Sequence, residues 1–132
     1  MTLQELSQLY WLNREIREDE RRLSELRAEA SGVPSPAGDG MPRSSEVHSR
    51  VERLALDIIT LEQIIAEKYA RCVAERVRLE RFISSITDSV TRQVFTERFV
   101  EGRTWAGVAR RIGGGNTEDS VKKICYRFLK GN

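Results

Sequence analysis

The sequence has little of the side-chain chemistry that metal centres and disulfide frameworks require. Its 132 residues include one histidine and two cysteines. Zinc sites draw their ligands from clusters of Cys and His, and His48, Cys72 and Cys125 form no such cluster. The two cysteines are far apart in the chain and fall on the inner faces of predicted helices, so we expect free, buried thiols. No metal or other cofactor is expected.

Long apolar runs are also missing. None approaches the ~20 residues of a membrane-spanning helix, so no membrane partner is expected. Residues 2–12 are amphipathic, with Gln4 and Glu5 among the apolar side chains, which is unlike a signal peptide. We therefore expect a cytoplasmic protein with reduced thiols.

The residue groupings that enzymes use are absent as well. One histidine without a matched Ser or Cys nucleophile does not make a catalytic triad. The Gly-Gly-Gly-Asn-Thr stretch at residues 113–117 lacks the Lys-Ser/Thr ending of a P-loop and the strand before it, and is typical of a turn between two helices. Carboxylates fall on exposed helical faces, where nothing raises a pKa for acid catalysis. We predict that the chain is not an enzyme and has no small-molecule substrate.

Proline is confined to one segment, residues 31–45, which holds all three prolines of the chain. Its apolar content is too low for independent folding, and a mobile linker is predicted. Pro42 should stop helical propagation from upstream, with Ser44 or Ser45 capping the helix that follows. A contact role for Arg43 is the alternative interpretation.

A long amphipathic helix is predicted on each side of this linker. Residues 1–30 begin with a Thr2–Glu5 capping box. Their apolar seam has heptad spacing and one polar break, Asp19. The seam consists of Leu9, Leu12, Ile16, Leu23, Leu26 and Ala30.

Residues 46–84 form the second long helix, and apolar side chains follow it in two rows. The first row weakens at Lys68 and Glu75 and otherwise consists of Val47, Val51, Leu54, Ile58, Leu61, Ile65, Cys72, Leu79 and Phe82. The second row consists of Ala55, Ile59, Ile64, Tyr69, Val73, Val77 and Ile83. The first helix can cover one row by folding back as a coiled-coil-like antiparallel hairpin. The other row needs a partner molecule or the terminal domain, so we expect a homo-oligomer, with a dimer favoured.

The positive charge of the chain is concentrated in residues 85–132. This segment has nine Lys and Arg against five Asp and Glu, whereas the whole chain has a net charge of only +2. Such a footprint is expected of a nucleic-acid-binding face, and a small basic domain with a solvated surface is the plainer alternative. The caps Asp88, Thr104 and Thr117, with stops at Gly102 and residues 113–115, predict three short helices. Two short helices joined by a glycine turn and packed on a third make a helix-turn-helix domain.

The predicted helix faces divide this segment into a core and a DNA-binding surface. The core consists of Val94, Phe99, Trp105, Val108, Ile112, Val121, Ile124 and Phe128, with Val90 and Phe95 on the same face of the first helix. Trp105 is expected to be its anchor, facing Phe99 and Phe128. The DNA-binding surface consists of Asn116, Thr117, Ser120, Lys122, Lys123, Tyr126, Arg127 and Lys130, flanked by Arg103, Arg110 and Arg111. These are mainly hydrogen-bond donors and cations, which suit phosphates and base-edge acceptors.

At these residues the chain resembles a known family. Residues 98–109, Arg-Phe-Val-Glu-Gly-Arg-Thr-Trp-Ala-Gly-Val-Ala, with Ser-Val-Lys-Lys-Ile at 120–124 and Phe-Leu at 128–129, resemble region 4 of sigma-70 factors. They are more similar still to small phage-encoded regulators, the ArpU/RinA-like group and related phage proteins of unknown function. The resemblance reaches residues 40–44 and the helix after them, about two thirds of the chain. It implies a helix-turn-helix DNA-binding protein in the cytoplasm of a bacterial host.

The start of the last helix departs from that family pattern. Sigma region 4 has promoter-reading arginines there, whereas this chain has Glu118, Asp119 and Ser120. The departure argues against promoter reading in the sigma manner.

Three functions are compatible with these features. The first is a DNA-binding regulator of transcription that reads duplex DNA with the helix from about Glu118 to Lys130. Its long helices would dimerise to place two reading helices on two half-sites, and host RNA polymerase is a further candidate partner. The second is a DNA-packaging component like a small terminase subunit, for which a ring of about eight or more subunits is expected. The third is an adaptor whose trihelical domain binds protein instead of DNA. We favour the first.

Overall fold

A computed structural model of the chain describes residues 1–32 and 44–131, and all regular structure in these residues is helical. The helices are α1 (Leu3–Leu6), α2 (Gln8–Ser31), α3 (Ser44–Ser84), α4 (Ser89–Phe95), a π-helical turn (Thr96–Val100), α5 (Trp105–Ile112) and α6 (Glu118–Gly131). The all-α prediction is therefore confirmed. Most of the predicted linker, including Pro42 and Arg43, lies outside the described residues, and so do the side chains of Ser44 and Ser45.

Contacts divide the chain into two compact units. Residues 14–70 form one, and residues 1–13 form the other together with the chain from residue 71 onward. The sequence placed boundaries at residues 30, 45 and 84 instead. The two sets differ because α2 and α3 each contribute to both units.

In the unit of residues 14–70, α2 and α3 lie side by side and run in opposite directions. The end of α2 meets the start of α3, where Arg50 lies 3.2 Å from Glu29. Further along α3, Lys68 reaches back to Asp19 near the middle of α2, with 2.5 Å between Nζ and Oδ2. The apolar side chains buried in this unit are the predicted seam residues Ile16, Leu23, Leu54, Leu61 and Ile65.

The polar breaks of the two seams pair with each other in this unit. Asp19 is a buried residue at 8% exposure, although it is charged. Its carboxylate lies against the Lys68 ammonium, whose side chain is 19% exposed. Each charge thus has its counterion inside the helix contact, where an unpaired charge would be costly.

The other unit begins with the capping box predicted at Thr2. Glu5 N donates to Thr2 Oγ1 at 3.2 Å, and Thr2 N donates to Glu5 Oε2 at 2.8 Å. A turn at Ser7 separates α1 from α2, so the single helix predicted over residues 1–30 is interrupted once. Leu6 and Leu9 are buried, and Arg78 of α3 donates to the Glu5 carbonyl at 3.1 Å. The start of the chain therefore packs on the end of α3.

An aromatic cluster forms the centre of this unit. Phe95 at the end of α4 is fully buried. Its ring centroid lies 6.4 Å from that of Phe82, 5.4 Å from that of Phe99 and 5.3 Å from that of Phe128. Around it α4, α5 and α6 each contact the other two. Val94, Val108, Val121 and Cys125 complete the buried set.

The helix ends follow the predicted caps. Asp88 accepts from Thr91 N at 3.0 Å and Thr104 accepts from Gly107 N at 3.1 Å. Gly102 has a φ of +70°, a left-handed conformation that suits glycine at a helix end. The π-helical turn before it was not predicted. It widens the last turn, so that Glu101 N donates to Thr96 O at 3.0 Å.

Candidate nucleic-acid interface

The turn into α6 is held by its own polar side chains. Ser120 N donates to Thr117 Oγ1 at 3.2 Å, and Thr117 N donates to Ser120 Oγ at 2.9 Å. This is a capping box in which serine replaces the usual acid. Asn116 accepts from the Ser120 hydroxyl at 3.0 Å and donates to Gly113 O at 2.8 Å. Asn116, Thr117 and Ser120, which were predicted on the DNA-binding surface, are thus already engaged in shaping the turn.

The two faces of α6 differ sharply in exposure. Val121 and Cys125 are buried, and Ile124 and Phe128 are half-buried. The outer side consists of exposed Lys123, Tyr126, Arg127 and Lys130 with half-buried Lys122. The buried pair fixes which way the helix faces, so the cations are brought together on the solvent side.

Two arginines of the terminal segment, Arg92 and Arg98, donate hydrogen bonds to backbone carbonyls of the same segment. Arg92 donates to the carbonyls of Ile86 and Thr87 at 2.7 and 2.9 Å, which ties α4 to the loop before it. Arg98 donates to the Arg103 carbonyl at 2.9 Å. These side chains have a structural partner and are not free for phosphates.

Glu97 in the π-helical turn binds two arginines that were predicted to contact DNA. Its side chain is only 16% exposed, and it forms an ion pair with Arg103 and a second with Arg111 at 3.5 Å. The carboxylate therefore draws Arg103 and Arg111 toward the loop. Helix periodicity does not indicate this role, because Glu97 lies on a turn whose π geometry was not predicted.

Five cations of this segment have no hydrogen bond or ion pair in the part of the chain that the structure describes. They are Arg110, Lys122, Lys123, Arg127 and Lys130. Four of the five lie on α6. Glu118 and Asp119, in the first turn of the same helix, are the acidic residues nearest to them in sequence.

Trp105 has other neighbours than those predicted. It is half-buried, and its ring faces Arg98, whose guanidinium carbon lies 4.6 Å from the ring centroid. The ring of Tyr126 lies 6.2 Å away. Trp105 is the first residue of α5, which places the indole at the rim of the core. Trp105 thus contacts the π-helical turn through a cation–π contact with Arg98, and the outer side of α6 through the ring of Tyr126.

The remaining predicted core residues of this segment fall into two groups. Val94, Phe99, Val108 and Val121 are buried, whereas Ile112, Ile124 and Phe128 are half-buried. Val90 is 44% exposed, although it was predicted on the inner face of the first short helix. It lies in the first turn of α4, beyond the edge of the aromatic cluster.

The inner side of α6 carries a cysteine, Cys125. Burial raises the pKa of the Cys125 thiol to about 11, so the thiol is protonated at neutral pH. No three His, Cys, Asp or Glu side chains within the described ranges converge as metal ligands. None of the described helices has both the length and the apolar content of a membrane span.

No protein-family model, curated protein or solved structure matches this sequence.

Proposed function

We propose that the chain is a DNA-binding regulator of transcription that contacts duplex DNA through the outer side of α6. In this proposal α4, α5 and α6 form a helix-turn-helix domain like that of the phage-encoded sigma-70 region 4-like regulators. The observation that supports it is the set of unpaired cations, four of which share one helix face. Such groups gain most from phosphates, because no internal ion pair has to be broken first.

Each side chain of α6 has a distinct role in this proposal. Lys123, Arg127 and Lys130 follow one another at i, i+4 and i+7, a row that fits along one wall of a groove. Lys122 and Tyr126 lie beside this row and reach the sugar-phosphate backbone. Lys123 and Arg127 carry most of the affinity of this helix, because each neutralises a phosphate along that wall.

The acidic first turn of α6 lowers the affinity of this surface for phosphates. Glu118 and Asp119 repel phosphates unless a cytosine amino group is available to donate to one of them. They also lie at the helix N-terminus, where the helix dipole favours negative charge. Their presence makes non-specific binding weaker than the cation count alone suggests.

The long helices supply the oligomer in this proposal. The exposed apolar side chains of α3, among them Leu56 at 64% and Ile59 at 53%, support a self-associating surface. An antiparallel coiled-coil-like hairpin of α2 and α3 would carry this surface, and a dimer would place two α6 helices on two half-sites. The chain would act in the cytoplasm of a bacterial host, with host RNA polymerase as a second partner. A ring of about eight or more subunits would instead favour DNA packaging.

The test is a comparison of two charge-matched double variants by fluorescence anisotropy on duplex DNA. Lys123→Ala/Arg127→Ala removes two unpaired cations of α6. Arg17→Ala/Arg71→Ala removes the same charge from exposed positions on α2 and α3. The first variant should bind at least ~10-fold more weakly, about 1.4 kcal/mol, and the second should bind like the wild type. An equal loss of DNA affinity in both variants would show that overall charge alone causes the effect. No loss of affinity in either variant would favour the adaptor function.

A further inference from the structure

A row of residues with coiled-coil spacing, different from the two rows predicted from the sequence, follows the outer side of α3. Its seven positions alternate in steps of three and four residues: Leu56, Ile59, Gln63, Ala66, Ala70, Val73 and Val77. All seven are exposed, with Val73 at 65% and Val77 at 43%. Six of the seven are apolar, which is the composition of a helix-packing seam.

The length of this row sets it apart from ordinary surface apolar residues. Single exposed apolar side chains are normal, whereas a continuous apolar patch on a monomer marks an interaction site. The 22 residues from Leu56 to Val77 extend roughly 31 Å along the helix axis. The row therefore fits another long helix better than it fits a small ligand or a loop.

The charges that flank the row favour one orientation of a second α3. Exposed Glu62 lies beside its first half and exposed Arg76 beside its second half, while exposed Glu67 lies at its midpoint and exposed Arg81 just past its end. Parallel pairing of two copies would place Glu62 beside Glu67 of the other copy and Arg76 beside Arg81, which sets like charges together. Antiparallel pairing about the centre of the row places Glu62 of each copy against Arg76 of the other and leaves one like-charged contact, between the two copies of Glu67 beside the axis.

We propose that two copies of the chain pair through this row, with α3 antiparallel to α3 about a two-fold axis midway between Ala66 and Ala70. Ala66 of one copy then opposes Ala70 of the other, and these small side chains allow close approach at the centre. Ile59 opposes Val77, which gives an aliphatic layer at each end. This specifies the interface of the dimer in the proposed function and rests on that function only for the dimer's role on DNA.

The salt bridges across the interface would form between Glu62 of one copy and Arg76 of the other. In the single chain, Glu62 and Arg76 each form only solvent-exposed ion pairs. Glu62 lies 3.8 Å from Arg27, and Arg76 lies 3.2 Å from Glu80 and 3.7 Å from Glu101. Exposed pairs of this kind contribute little, so they can exchange for contacts at the edge of a dimer.

Single-cysteine variants distinguish the two orientations. In the antiparallel dimer the two copies of residue 69 face each other beside the axis, whereas the two copies of residue 59 lie roughly 27 Å apart. A mild oxidant should therefore crosslink Tyr69→Cys and not Ile59→Cys on a non-reducing gel. The wild type is the background, because Cys72 and Cys125 are buried. Crosslinking of Ile59→Cys alone would show a parallel pair. Crosslinking of neither variant would refute the proposed interface.

Charge exchange gives an independent test by sedimentation equilibrium without DNA. Glu62→Arg or Arg76→Glu places like charges at two symmetric sites, so each should raise the dimer Kd roughly tenfold. The double variant Glu62→Arg/Arg76→Glu should restore the wild-type value. Tightening by Glu62→Arg, or no change in any variant, would overturn the proposal.

A further variant separates this proposal from DNA binding. Lys123→Ala/Arg127→Ala should keep the wild-type dimer Kd, because the change lies on α6. Loss of the dimer in that variant would contradict the assignment of the interface to α3. Conversely, a normal dimer that does not bind DNA would refute the proposed function and leave the interface intact.

Discussion

The buried Asp19–Lys68 pair makes the helix contact between α2 and α3 sensitive to single substitutions. Asp19→Leu removes the carboxylate 2.5 Å from Lys68 Nζ and leaves Glu15, at 3.8 Å and 58% exposed, as the nearest acid. Breaking a buried ion pair from one side costs about 3–5 kcal/mol. Because the Lys68 side chain remains 19% exposed and can turn to water, we expect a loss of about 3 kcal/mol.

The double variant Asp19→Leu/Lys68→Leu tests the cause of this loss. It leaves no unpaired charge and fills both positions with seam residues, so its stability should equal or exceed that of the wild type by up to ~4 kcal/mol. Urea unfolding followed by circular dichroism, at one fixed protein concentration, measures all three proteins. A cost below ~1 kcal/mol for Asp19→Leu would refute the reasoning. So would a double variant as unstable as the single one, since the pair would then not be the cause.

Three further outcomes follow from the terminal helices. Phe95→Ala should cost about 3–5 kcal/mol in urea unfolding, because the ring is fully buried among three others. Ser120→Ala should cost about 0.5–1.5 kcal/mol, because the Thr117 N–Ser120 Oγ hydrogen bond is lost while the Thr117 cap remains, and should leave the affinity for duplex DNA unchanged; a loss of affinity without a change in salt dependence would place Ser120 on a base edge. Hydrogen bonds from the Thr91 hydroxyl and amide hold the pKa of Asp88 below its usual value, so its stabilising effect is present above the unfolded pKa and is lost as the pH falls through the folded one. Asp88→Asn should therefore lower the Tm at pH 7 and have little effect well below about pH 4; an equal loss at both would contradict this.

Features set by a few neighbouring residues could be predicted from the sequence. The caps at Thr2, Asp88 and Thr104 are local hydrogen bonds over three residues, and all three are present. The apolar seam likewise follows from helix periodicity alone. Asp19 and Lys68 could be identified as breaks in the two seams, but their pairing depends on the register between the helices, which periodicity does not give.

The parts that could not be predicted depend on side chains that meet across the fold. Glu97 engages Arg103 and Arg111 because the π-helical turn points it toward both, and no spacing rule indicates a π turn. Trp105 looks like a core residue by pattern, yet Arg98 covers it at the rim. Net charge alone overstates the number of cations available to a partner, since it does not distinguish paired arginines from unpaired ones.

The salt dependence of duplex binding tests the central claim most directly. If Lys122, Lys123, Arg127 and Lys130 neutralise one phosphate each, a plot of log affinity against log salt should have a slope of about −3.6, since each contact adds about −0.9. Lys122→Ala should flatten the slope by about 0.9, and the triple variant Lys122→Ala/Lys123→Ala/Arg127→Ala should flatten it by about 2.7. An unchanged slope and affinity in the triple variant would show that α6 does not bind DNA, and the adaptor function would then be preferred.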